Sequence, residues 1–420
     1  GIIFSTCLSQ YRKEGRMAVS ISNAQILKVI SKLRRNKQLQ AVFGVLILFF
    51  CIFIVFPAFM IFKQAFTKSG GITFDYIKSV LSNKNVFLAL SNSMTVSFLS
   101  AIITTFLAFL LAYAENFTNI SPKLKKMFRT LAVFPMLIPT IAYGFAVIYS
   151  FGRNGLLTRL FGRQLFDFYG FKGLVFCYVV YTLPVAFMLL DNAMSYIDKR
   201  FLIVSRLMGD NPLQTLNISV LTPLWGTIAV SIVQSFFMSF TDFGIPASIG
   251  GRYLVISELL FNTMLGSLPD FNQGAVIAIL ILLPSVASIL LLRYLQKFNV
   301  RYSKISPTEL KKNLFRDGFF LFLATAIIIS LVSIFVVVII SPFMKQYPYD
   351  MLFSLEHVRL VFSDSVLVRV FKNSLLASLC TALFGTVLVY ASAIVTSRTN
   401  VHPHAKIFIE SVSQVSNTIP

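Results

Sequence analysis

The sequence predicts an all-α, polytopic helical membrane protein. Of its 420 residues, 56% are hydrophobic, and the formal net charge is +21. Apolar runs near the roughly 20 residues needed to cross about 30 Å of hydrocarbon recur along the whole chain. Their texture decides the class: a run such as "LVSIFVVVII" lacks the alternation of a barrel strand. Inside lipid such a run must close its backbone hydrogen bonds on itself, as a helix.

In chain order the spans are expected at 41–62, 91–114, 130–151, 171–191, 224–241, 274–294, 319–341 and 373–395, with a ninth beginning near 406. The stretch "SKLRRNKQLQ" feeds a first span too long for the apolar region of a cleaved signal peptide. Met17 is a candidate start, with residues 1–16 an upstream extension. Of the 37 Lys and Arg, 24 fall in segments that a cytoplasmic N-terminus places inside, so the positive-inside bias predicts that orientation. Basic residues placed this way point to the lipid bilayer as partner and not to nucleic acid.

Several chemistries find no support. There is no G-x-x-x-x-G-K-[ST] phosphate loop, G-x-S-x-G or HExxH. Cys7, Cys51, Cys177 and Cys380 are scattered and read as isolated apolar residues. His402 and His404 flank Pro403 in a predicted inner loop and read as solvated. The chain is therefore expected to bind no cofactor or metal and to be no enzyme. Glu115, Asp191 and Arg293 lie at or just beyond span ends, where a long side chain reaches polar surroundings. The alternative class is a secondary transporter or channel acting alone, and the scarcity of carboxylates inside spans argues against a proton- or sodium-driven transporter.

The chain also repeats itself. Shifted by 281 residues, Asn92–Pro139 falls on Asn373–Pro420 with 13 of 48 positions identical, including the loop pattern TNxxPxxK. Six predicted spans separate equivalent points, so both copies face the same way, a parallel internal repeat. The second copy stops at "NTIP", and the chain is expected to be a truncated one in which a longer form places a second loop glycine near position 490.

Between the fourth and fifth spans lies "SRLMGDNPLQTLNISVLTPLWG", residues 205–226. Ile197, Phe201, Val204 and Met208 fall on one stripe of a helix. Gly209 lets the chain leave that helix, Asn211 is placed to accept an amide bond as N-cap, and Pro212 is preorganised for a first turn. The segment reads as a helical hairpin on the cytoplasmic side.

The arrangement resembles the cytoplasmic loop of permease subunits of binding-protein-dependent ABC importers. That pattern runs Glu-Ala-Ala, three residues, Gly, about nine residues, then Ile-x-Leu-Pro. Ser205, Gly209, Gln214, Leu221 and Pro223 match it, whereas Ile203 and Val204 depart from it and the proline comes one residue late. "SFTDFGIPASIGG", residues 239–251, is similar to the following segment in the ferric-iron, phosphonate and related permeases. The resemblance implies the MetI-like permease fold in a fused two-half form. Residues 1–40 would then be a cytoplasmic segment, 41–300 a first permease transmembrane domain, 301–318 a cytoplasmic linker and 319–420 a second, incomplete domain.

The same resemblance implies the bacterial inner membrane, separate ABC ATPase subunits that use ATP, and an extracytoplasmic solute-binding protein. It implies ferric iron as solute, with phosphonate or polyamine behind it. Residues 198–217 would be the coupling element, Leu207 and Met208 giving apolar contact and Arg206 and Asp210 polar contact to the ATPase. Ser205, Gly209, Gln214 and Pro223 complete the implied set. Asp242, opening "DFGIP" with Phe243 and Gly244, has two readings: it faces the translocation path or docked binding protein, or it closes a helix end.

Overall fold

The computed structural model describes residues 37–68, 71–164, 167–295 and 312–398. The ninth predicted span, His402 and His404 lie outside these. Among the described residues seven helices are long and apolar enough to cross a membrane, and an eighth span results if one bent pair counts as one. Among the described residues the chain divides into two compact units, one of 37–58 with 369–398 and one within 59–368.

In chain order the helices are α1 Lys37–Phe50, α2 Phe56–Phe66, α3 Asp75–Ser82, α4 Lys84–Phe117, α5 Pro122–Val133, α6 Thr140–Phe151, α7 Leu156–Leu160 and α8 Phe171–Ser195. There follow α9 Arg200–Leu207, α10 Pro212–Leu216, α11 Thr222–Thr241, α12 Gly244–Ile249, α13 Ile256–Leu265 and α14 Phe271–Leu295. The last are α15 Leu314–Ile340, α16 Glu356–Ser363 and α17 Ser365–Arg398. Two short antiparallel hairpins, β1 Thr67–Lys68 with β2 Gly71–Ile72 and β3 Met344–Gln346 with β4 Asp350–Phe353, precede α3 and α16.

The larger unit is built around α4, which packs against α8 and α11 while these two pack on each other. Lipid tails are as apolar as leucine, so close backbone approach and buried hydroxyls hold such helices together, and small residues sit at the seams. α4 supplies them: Ser93, Ser97, Ser100, Ala101, Thr104, Thr105, Ala108 and Ala112 are buried. Thr104 Oγ1 lies 2.8 Å from Thr182 Oγ1 on α8, and Thr105 Oγ1 lies 3.3 Å from Ser231 Oγ on α11. Thr104→Val should cost about 0.6 kcal/mol, a lost interhelical hydroxyl pair, whereas Thr104→Leu should cost about 1–3 kcal/mol by overpacking. Unfolding of the reconstituted protein in graded denaturing detergent checks that order.

The predicted third span, 130–151, is corrected by the structure. Pro122–Leu137 and Thr140–Leu160 meet at 108° instead of forming one straight helix. Ser121 caps α5, with Pro122 in its first turn. The chain then tightens into a 3-10 turn at Phe134–Leu137 and restarts after Pro139. Pro135 and Pro139 each remove a backbone donor and clash with the preceding turn, so hydropathy saw one apolar run where the backbone has a corner. Tyr143 Oη donates to the Pro135 carbonyl across that corner.

α15 lies on the same unit and packs against α4, α5 and α6. Its rings fill the seam: Phe320 sits 4.5 Å from Tyr113 and Phe335 sits 5.2 Å edge-on to Tyr143. In the smaller unit Leu46 and Phe50 of α1 bury with Val395 of α17.

The internal repeat reaches further back than the sequence identities. The 8-residue α3 and 34-residue α4 recur 281 positions later as the 8-residue α16 and 34-residue α17. Their joints use matched chemistry. Asn83 Oδ1 accepts the Asn85 amide and Asp364 Oδ1 the Val366 amide; Thr73 Oγ1 accepts from Asp75 and Ser354 Oγ from Glu356. Asn83 has φ −82° and ψ 112°, Asp364 φ −79° and ψ 112°.

Candidate functional site: the helical hairpin after α8

The hairpin is built from local chemistry. Beyond α8, Asp198 Oδ1 accepts the Arg200 amide at 2.9 Å and starts α9. α9 ends on Gly209, whose φ is +85°, and the Asp210 amide reaches back to the Ser205 carbonyl at 3.2 Å, the bond of a Schellman turn. A Cβ on Gly209 would meet nothing within 4 Å, so the backbone angle, not crowding, calls for glycine there. Asn211 and Gln214 form a reciprocal capping box at the start of α10, with Pro212 in its first turn. Asn211→Ala should therefore cost about 1 kcal/mol, seen as faster amide exchange confined to α10.

Inside the turn, Ser205 is 5% exposed. Its Oγ donates to Asp210 Oδ2 at 2.5 Å and lies 3.2 Å from Thr215 Oγ1. The Asp210 carboxylate and the Gln214 side-chain oxygen are thus committed to the turn itself. Half-burial pushes the Lys199 ammonium below its usual pKa.

The expected stripe needs correction. Ile197 is buried, but the inward face of α9 is Leu202 and Ser205, while Phe201 and Val204 are each half exposed. Leu207 at 82%, Met208 at 78% and Leu213 at 77% stand out at the tip, an apolar patch of the kind that marks contact surfaces. The side chain of Arg206 lies outside the described residues.

α10 does not stop before the membrane. It passes through a π turn at Asn217–Leu221 into α11, so one span runs Pro212–Thr241, not 224–241 as the sequence suggested. Pro223, in the first turn of α11, has no amide to give, and Thr222 Oγ1 donates to the Asn217 carbonyl at 2.9 Å. Proline and π turn both interrupt the regular hydrogen-bond ladder, and here they fall together while the helix runs on.

At the other end of α11, Asp242 is 9% exposed. Its Oδ2 accepts the Ile245 amide at 2.9 Å and its carbonyl accepts from Ser257 Oγ at 2.7 Å. Phe243 stacks on Phe261 with ring centroids 4.3 Å apart. A Cβ on Gly244 would lie 2.2 Å from Thr140 Oγ1 and 2.7 Å from the Ile141 nitrogen. Asp242 and Gly244 thus seat α12 against the start of α6. The hydrogen bonds of Asp242 place its carboxylate at the start of α12, a local structural role.

Sequence reasoning treated the charges near the hairpin as independent, and the structure joins them. Arg129 on α5 pairs with Asp191 of α8 at 2.9 Å and Glu115 of α4 at 3.3 Å. Asn116 Nδ2 donates to the other Asp191 oxygen at 2.7 Å. Lys125 Nζ donates to the carbonyls of Glu115 and Thr118. One signal was available: carboxylates near helix C-termini oppose the helix dipole, so Glu115 and Asp191 each called for a cation.

Residues 104–302 match the family described as "Binding-protein-dependent transport system inner membrane component". Over these residues the chain is similar to that family.

The chain is similar to the putative ferric transport system permease protein FbpB 1 of Haemophilus influenzae, 26% identical over 267 residues, covering 62% of this chain and 42% of the relative. It is equally similar to the ferric transport system permease protein FbpB of Actinobacillus pleuropneumoniae, 26% identical over 267 residues, with 62% and 38% covered. The chain thus spans about two fifths of the length of those relatives. The permease fold recurs in the crystal structure of a bacterial ABC transporter involved in import of the acidic polysaccharide alginate, with TM-score 0.51 and 17% identity over 65% of this chain and 98% of that one.

Proposed function

We propose that this chain is the transmembrane permease of an ATP-binding-cassette importer, moving a solute handed over by an extracytoplasmic binding protein. The observation that carries the reading is the α9–α10 hairpin. It presents Leu207, Met208 and Leu213 to the outside while α10 continues directly into α11. A subunit that grips the tip displaces a rigid helix and not a loop, so work done on the hairpin reaches the far end of α11.

In this reading hydrolysis belongs to a partner ATPase, and Ser205, Gly209, Asp210 and Gln214 keep the hairpin in one shape. The π turn at Asn217–Leu221 carries the lever on past Pro223, and Asp242–Gly244 holds the wall of the path by fixing α12 to α6. The surplus of Lys and Arg on the hairpin side supports a cytoplasmic N-terminus in a bacterial inner membrane. The names of the two relatives at 26% identity favour ferric iron over phosphonate or polyamine.

The reading also takes residues 319–420 as part of a second permease domain. In α4, Ser93, Ser97, Ser100 and Thr105 are buried by neighbouring helices; their counterparts 281 positions on, Ser374, Ser378, Thr381 and Thr386, keep a hydroxyl and are exposed.

Proteoliposomes carrying this chain with the ATPase and binding protein encoded beside it are expected to take up radioactive ferric iron only when ATP is supplied. Uptake that persists without ATP, or native membranes in which no ATPase cross-links to Leu207, Met208 or Leu213, would overturn the reading. ATP-dependent uptake of a phosphonate or polyamine in place of iron would change the solute and keep the mechanism.

A further inference from the structure

We propose that Asp191, held between Asn116 and Arg129, is a positioning residue that makes the ends of α4 and α5 move as one with the α9–α10 hairpin. Asp191 sits one turn before α8 ends at Ser195, and the chain enters the hairpin immediately afterwards. Both of its oxygens are used, and by different helices: Oδ1 accepts from Asn116 of α4 at 2.7 Å and Oδ2 meets Arg129 of α5 at 2.9 Å. A single carboxylate therefore fastens three helices at the point where the hairpin leaves the bundle.

Burial makes the fastening stiff. The side chains of Asp191 and Glu115 are 13% and 12% exposed and share one guanidinium, whose own side chain is 53% exposed. Moving α8 away from α5 would leave the Asp191 carboxylate held out of water without its cation, an unfavourable state. The three helix ends are then expected to shift together. Asn116 adds a second anchor within α4, since its Nδ2 also donates to the Ala112 carbonyl at 2.9 Å. By contrast, the Arg316–Asp317 pair at the start of α15 receives the Asn119 amide and serves the α15 cap. It lies off the route from α8 into the hairpin.

The consequence for coupling rests on the importer reading; the mechanical claim does not. Amide exchange of the full chain in lipid nanodiscs, without ATP or any partner, tests it. Asp191→Asn, which keeps the shape and the Asn116 contact, is expected to speed exchange of the α9 and α10 amides by about tenfold while the centres of α4, α8 and α11 stay protected. The swap Arg129→Asp with Asp191→Arg should restore most of that protection, and Asp317→Asn should lower thermal stability without changing hairpin exchange.

Unchanged hairpin exchange in Asp191→Asn would overturn the proposal, as would acceleration spread evenly through the bundle. If Asp191→Asn does not assemble, Arg129→Gln, which leaves the Asn116 bond in place, is read by the same two outcomes. In a complex that couples ATP to uptake, Asp191→Asn should lower solute moved per ATP with basal hydrolysis intact, a ratio that simple loss of folded protein does not change. Should no ATPase associate with the chain, the exchange result stands alone and only the importer reading falls.

Discussion

Gly209→Val is expected to leave the protein in the membrane and to abolish most ATP-coupled uptake. The cause is the backbone. At φ +85° any L side chain is strained, by about 1–2 kcal/mol for an ordinary residue and more for a β-branched one. Since no atom beyond the two adjoining residues lies within 4 Å of the missing Cβ, the bundle has nothing to repack and the strain is relieved within the turn itself. That relief breaks the bond from the Asp210 amide to the Ser205 carbonyl and moves the Ser205–Asp210 contact.

The exposed Leu207 and Met208 are then presented at a different angle to whatever grips them. Solute moved per ATP hydrolysed, measured in proteoliposomes with the partner subunits, is the readout. Gly209→Asn, which tolerates the left-handed region, should retain much of the coupling. Unaltered uptake and stimulated hydrolysis in Gly209→Val would show that the turn geometry is not read by a partner.

Gly244→Val is expected to act on the fold instead. Its Cβ would come within 2.2 Å of Thr140 Oγ1 and 2.7 Å of the Ile141 nitrogen. A backbone nitrogen cannot turn aside as a side chain can, so α12 must lift from α6. That separation exposes the buried Ile245 and Ile249 and disrupts the Asp242 turn. Steric insertion into a packed seam costs about 1–3 kcal/mol and often more when backbone must shift. The variant should show a lowered midpoint of thermal unfolding in lipid and a reduced yield of monodisperse protein. Gly244→Ala places the same Cβ and should show a similar but smaller loss. An unchanged midpoint in both would mean that α12 is not seated on α6 in the membrane.

These two glycines divide what was readable from what was not. Gly209 stands out in the sequence because its neighbours Asn211 and Pro212 carry their own turn chemistry, and each of those preferences is satisfied within a few residues. Gly244 gives no such sign. Its need arises from Thr140 and Ile141, about a hundred positions away, and the "DFGIP" stretch reads equally well as a path element or a helix stop. The same split runs through the charges. Glu115 and Asp191 announced themselves as acidic groups at helix C-termini, yet only the packing of α4, α5 and α8 shows that one arginine answers both.

By itself the sequence determined that the chain crosses a membrane several times, that a capped hairpin interrupts the spans after α8, and that a unit recurs 281 residues on. Those features follow from hydropathy, from turn chemistry and from self-similarity, all of which act over short stretches or by direct comparison of residues. The tertiary structure alone decided that the run at 130–151 turns through 108°, that Leu202 and Ser205 form the inner face of α9, and that Asp191 joins three helix ends. Each depends on which helix lies beside which, because in an apolar solvent every face of an apolar helix is equally acceptable until a small side chain, a hydroxyl or an ion pair on a neighbour distinguishes one.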